Sequence, residues 1–139
     1  MAFPELLQLH NLTVRDCQQP IRDDHLESIS RTSCRDWILL PAHLGLSVSV
    51  ADDIERTSDS QQSKRYKFLR RWKEIKGSQA TYAKLIKALL AIDSRLDAEE
   101  VCKILAQSIG LNASGMLLQY GWQAIASHIL LFTYVWISR

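Results

Sequence analysis

The run Asp36-Trp37-Ile38-Leu39-Leu40-Pro41-Ala42-His43-Leu44-Gly45-Leu46 decides how the chain folds. Trp37, Leu40 and Leu44 stand three and four residues apart, the spacing that brings side chains onto one face of an α-helix. Gly45 follows the last of them and supplies the left-handed backbone that closes a helix. Upstream, the Ser33 hydroxyl can cap the free amides, and Asp36 is favourable in the first turn. Pro41 is the exception. It lacks an amide and crowds the preceding turn, which costs ~3 kcal/mol in a regular helix interior. With a start at Ser33 the proline falls beyond the first turn, so this helix is expected to kink or split there.

The same period recurs on both sides. Leu26 and Ile29 predict a preceding helix from about Arg22 to Thr32. Downstream, Ser49 with Asp52 resembles a capping box for a short third helix with Ile54 inward. A long fourth runs from about Ser60 to Lys76, with Phe68, Leu69 and Trp72 as its apolar stripe and Gly77 as its stop. Ser78 can cap a fifth, where Tyr82, Leu85, Ile86 and Leu89 share a face. Asp97 with Glu100 forms a capping box for a sixth, in which Ala98, Val101, Cys102 and Leu105 repeat the pattern. No alternating stretch supports a sheet, and five glycines and three prolines leave little punctuation for one. The fold expected is therefore all-α, a six-helix antiparallel bundle with a C-terminal extra helix. Its core would hold Leu26, Ile29, Trp37, Leu40, Leu44, Leu46, Ile54, Phe68, Leu69, Trp72, Tyr82, Leu85, Leu89, Val101 and Leu105. Residues 1–20 read as an N-terminal extension, 21–109 as the domain and 110–139 as a hydrophobic tail.

Composition narrows the function. A net charge of +2 from 17 basic and 15 acidic residues lacks the concentrated basic field that nucleic acid requires. A small helical DNA-binding domain using the basic fourth helix is the weakest alternative. Three cysteines without a CxxC pair fit neither a disulfide framework nor a zinc site. No phosphate loop, dinucleotide loop or metal-binding HExxH occurs, and His10, His25, His43 and His128 are scattered. The expectation is a protein that is not an enzyme, with no catalytic residue, no metal and no cofactor. No secretory signal is visible at the start, which points to the cytoplasm.

The ordered set of motifs resembles the death domain of the death-fold superfamily over about residues 22–107. Trp37, Leu40 and the Leu44-Gly45-Leu46 turn look like its signature. Ile54 stands at the family's third-helix isoleucine, and Leu69 and Trp72 at the leucine and tryptophan of the fourth. Gly77, Ala80, Thr81, Leu85, Ala88 and Leu89 resemble the run that opens the fifth helix, and Asp97, Ala98 and Val101 the start of the sixth. Pro41 departs from the pattern, replacing a small residue. The resemblance implies a Greek-key bundle and a signalling adaptor, apoptotic or innate immune, that assembles with other death-domain proteins as homo- or hetero-oligomers.

Charge patterning says which faces would meet. Lys64, Arg65, Lys67, Arg70, Arg71, Lys73 and Lys76 crowd the fourth helix against Glu74 alone. Asp52, Asp53 and Glu55 make the third acidic; Asp97, Glu99 and Glu100 do the same at the start of the sixth. A basic face of Lys67, Arg70, Arg71, Lys73 and Lys76 on one copy can meet either acidic set on another. Such contacts are heterologous and propagate. Residues 116–137 carry no charge apart from His128, a run of about 22 residues where roughly 20 span a bilayer. Gln119, Gln123 and Ser127 form a polar stripe within it. A membrane-tail-anchored scaffold, a helix packed on the bundle or a partner, and an atypical chain end all remain open readings of this tail.

Overall fold

The computed structural model describes residues 2–32, 37–57 and 59–116, with side chains to residue 110. It divides into two compact units, Met1–Ala106 and Gln107–Arg139. The described residues are all-α, with eight α-helices: α1 (Phe3–Leu9), α2 (Val14–Cys17), α3 (Asp23–Ser30), α4 (Leu40–His43), α5 (Val48–Glu55), α6 (Gln61–Lys76), α7 (Tyr82–Ala91) and α8 (Arg95–Met116). Short 3-10 turns precede α4 (Trp37–Leu39) and α7 (Gly77–Gln79). Among these residues no helix is long and apolar enough to cross a membrane. The tail from 117 onward lies outside the described residues.

Residues 1–20 are more than an extension. Pro4 sits in the first turn of α1, where its missing amide costs nothing. Thr13 and Asp16 form a reciprocal capping box that starts α2. Leu6, Leu7, Leu12 and Cys17 are buried in the same core as α3, α6, α7 and α8. The Ile21 N–H donates to the Ala80 carbonyl at 2.8 Å, and Pro20 pairs with Thr81, fastening the segment to the start of α7.

The stretch around Pro41 is split. A 3-10 turn ends at Leu39 and α4 restarts at Leu40, so the proline falls in the first turn of a new helix. Gly45, at φ +73°, then closes α4. The Leu46 N–H reaches back to the Pro41 carbonyl at 2.8 Å, the long bond of a left-handed helix cap. Asn11 and Asp93, at φ +54° and +63°, play the same part after α1 and α7, with Leu12 N–H on the Leu7 carbonyl and Ser94 N–H on that of Leu89. Asn and Asp tolerate this conformation better than most side chains do.

Three helix starts differ from the sequence reading. α5 begins at Val48 with Ser47 at its N-cap, and the Ser49 hydroxyl faces that of Ser47 rather than an amide. α7 is capped by Thr81, whose hydroxyl accepts the Lys84 N–H at 3.3 Å, while Ser78 is taken up by the 3-10 turn. α8 begins at Arg95, leaving Asp97 in its first turn instead of at its cap. Ser60 caps α6, accepting the Ser63 N–H. The expected cap Ser33 and its neighbour Asp36 lie outside the described residues.

Leu26, Ile29, Trp37, Leu40, Leu44, Leu46, Phe68, Leu69, Trp72, Tyr82, Leu85, Leu89, Val101 and Leu105 are buried. Ile54 packs only partly against this core; Ala51 is the buried residue of α5. Cys17 and Cys102 are buried free thiols. Burial pushes Cys17 up to about 11, helped by Asp16, and Cys102 up to about 12, helped by Cys17 and Glu99. Neither is a thiolate at neutral pH, so neither is a nucleophile. Maleimide should label both only after denaturation, as peptide mapping would show; labelling of either in the native protein would contradict its burial.

Candidate interaction surface

α6 carries the basic cluster and packs against α3 and α5. Its cations do several different jobs. Lys64 is buried; its ammonium donates to the Glu55 carbonyl oxygen at 3.1 Å and pairs with the Glu55 carboxylate at 3.5 Å. This pins the end of α5 to α6 and uses up Glu55. The Arg65 guanidinium donates to the Ser30 carbonyl at 2.9 Å, bonding the last residue of α3. Lys73 holds Asp23 at 2.8 Å, and that bond and charge keep the Asp23 carboxyl below its ordinary value. Lys67 does the same to Asp59 ahead of α6.

Two of the expected basic contacts remain outward. Arg70 and Arg71 share a single carboxylate, Glu74, at 3.6 and 3.4 Å. Two guanidiniums on one carboxylate leave a net positive charge, and the pairs are too exposed to contribute much to stability. Lys76 makes no ion pair among the described residues; its ammonium lies over Gly45. An open groove of about 400 Å³ runs beside Arg70, lined by Asp23, Leu26, Tyr66, Arg70, Lys73 and Glu74.

On the acidic side, Asp52 and Asp53 are exposed neighbours on α5 and make no ion pair among the described residues. Glu99 is engaged by Arg95 at 3.3 Å, Asp97 is half-buried, and Glu100 is exposed. Of the charges expected to meet a partner, those left exposed and not offset are Asp52 with Asp53 on α5, Glu100 on α8, and the surplus of Arg70 and Arg71 on α6. Sequence counting found these residues but could not separate them from Lys64, Lys67, Lys73, Glu55 and Glu99, whose charges serve the fold. Among the described residues no group of His, Cys, Asp and Glu is arranged to hold a metal ion.

The sequence matches the family model of the Death domain over residues 23–112, and the chain belongs to that family. Comparison with curated proteins gave no match, and comparison with solved structures gave none either. Death domains are non-enzymatic modules that bind other death-fold domains, which makes this chain a protein–protein interaction module of signalling.

Proposed function

We propose that the chain is a signalling adaptor module of the cytoplasm, a Greek-key six-helix bundle lengthened at its start. It assembles homotypically, the α6 face of Arg70 and Arg71 on one copy meeting the α5 face of Asp52 and Asp53 on the next. The observation that carries this reading is the Asp52–Asp53 couple on α5, without an ion pair among the described residues and next to a helix with surplus positive charge. Complementary charge of this kind sets partner choice and encounter rate. Head-to-tail pairing leaves an unused face at each end, so assemblies grow.

The structure also selects the cleanest test. Reversing Arg70 would place a carboxylate beside Asp23 and Glu74 and loosen the α3–α6 contact, so lost association would be ambiguous. Asp52→Lys with Asp53→Lys disturbs no ion pair among the described residues. We expect this variant to lose self-association in sedimentation experiments while its circular dichroism is unchanged. Mixing it with Arg71→Glu should restore pairing, and raising salt to about 0.5 M should dissolve wild-type assemblies. Assembly that survives the α5 reversal would exclude this face. The uncharged run 116–137 supports a second reading, a membrane-anchored scaffold. Alkaline extraction separates the two, since full release from membranes rules out a spanning tail.

A further inference from the structure

Tyr82, the first residue of α7, reaches across to α3. Its hydroxyl oxygen accepts the Arg22 backbone N–H at 3.2 Å and lies 2.5 Å from His25 Nδ1. The two rings meet edge to face, with centroids 5.8 Å apart and planes at 64°. Both residues are buried, Tyr82 to 1% exposure and His25 to 8%.

One arrangement of the protons gives every donor in this group an acceptor. With its oxygen accepting the Arg22 N–H, the hydroxyl has its hydrogen left for His25, and the arrangement that uses that hydrogen has Nδ1 present a lone pair. The imidazole is then neutral, with its proton on Nε2. Protonation would put an N–H at Nδ1. The tyrosine hydrogen would lose its acceptor, and a cation would stand where water barely reaches. The charged groups around the pair divide. Asp24 favours the imidazolium and Arg22 opposes it. Asp23 on the same helix is occupied by Lys73 of α6. On α7, Lys84 turns to the Gln79 side chain and Lys87 to the ring of Phe3. Burial is the largest influence and holds His25 below its ordinary value.

The same joint fastens the start of the chain, because the Tyr82 N–H donates to the Gln19 carbonyl at 3.4 Å and the Ile21 N–H to that of Ala80. The geometry points to a pH-sensitive latch: the neutral His25–Tyr82 pair clamps residues 19–22 and α3 onto α7, and proton uptake by the imidazole releases them. The unfolded chain takes up the histidine proton at the ordinary value, near 6.5. Folded His25 takes it up lower. The latch is therefore fully closed above that ordinary value, and its contribution is lost as pH falls through the folded one.

The test uses the full chain, melted at a series of pH values between about 7.5 and 5. Wild type should lose several degrees more in Tm than His25→Gln over that range. His10, His43 and His128 remain in the variant, so the difference isolates His25. In the wild type, the His25 ring should titrate by NMR below a free histidine, and protection of the Ile21, Arg22 and Tyr82 amides should fall in step. That titration decides the matter even if His25→Gln does not fold. Parallel pH profiles for the two proteins, or a His25 that titrates at or above the free value, would overturn the latch.

Discussion

Removing residues 2–20 should abolish the cooperative unfolding transition of this protein, although those residues precede the family match. The match starts at residue 23, yet the core includes Leu6, Leu7, Leu12, Cys17 and Ile21. Leu6 is 0% exposed and Leu7 2%. α1 and α2 lie along α7, so the deletion would open one flank of α7 to water. A newly bared apolar face of that kind either aggregates or binds dyes that seek exposed hydrophobic surface. Point substitutions grade the effect. Leu6→Ala should cost ~2–5 kcal/mol, against a total stability of ~5–15 kcal/mol for a domain of ordinary size. Leu9→Ala is the control, since Leu9 is 62% exposed; it should stay within about 0.5 kcal/mol of wild type. Denaturant titration measures all three. A truncated chain that melts at the wild-type temperature would show that α1 and α2 are ornaments on a self-sufficient bundle.

That segment also shows where sequence reading loses sight of structure. From Arg22 onward every helix but α4 has eight residues or more, long enough for a 3.6-residue period to declare itself. α1 has seven residues and α2 four, too short for any period to emerge. The available signals were punctuation: Pro4 as a helix opener, Asn11 as a left-handed stop and Thr13 with Asp16 as a cap. Cap positions elsewhere slipped for a related reason. Ser78 and Thr81 are both good caps, and only the 3-10 turn through Gly77–Gln79 decides for Thr81. Pro41 was legible because its physics is local: a residue without an amide forces a restart wherever it stands.

The interaction surface was legible in composition but not in assignment. A helix with seven cations in thirteen residues is visible in the sequence. Which cations are free depends on partners far along the chain. Lys73 meets Asp23, fifty residues away, and Lys64 meets Glu55 across a turn between helices. Pairings of that kind belong to tertiary packing, and no local pattern encodes them. The latch had the same obscurity, since His25 and Tyr82 are 57 residues apart and each alone reads as an ordinary core side chain.

Trp72→Ala should be the most damaging single substitution on α6, costing ~3–5 kcal/mol, whereas Trp72→Phe should cost less than ~2 kcal/mol. The contrast follows from one atom. Trp72 is 0% exposed, and its indole Nε1 has no hydrogen-bond partner among the described residues. Trp37, by contrast, donates its indole N–H to Gln61 Oε1 at 3.1 Å. Burying an unpaired N–H costs ~1–3 kcal/mol, a penalty wild type already carries at position 72. Phenylalanine removes that donor and retains most of the apolar bulk, so relief of the penalty offsets part of the void it leaves. Alanine removes the donor too, but it empties a fully buried space in the core beneath α6. Urea midpoints at constant slope measure both changes. Equal losses for the two variants would mean that the indole N–H is satisfied after all and that its bond, more than the volume around it, secures this part of the core.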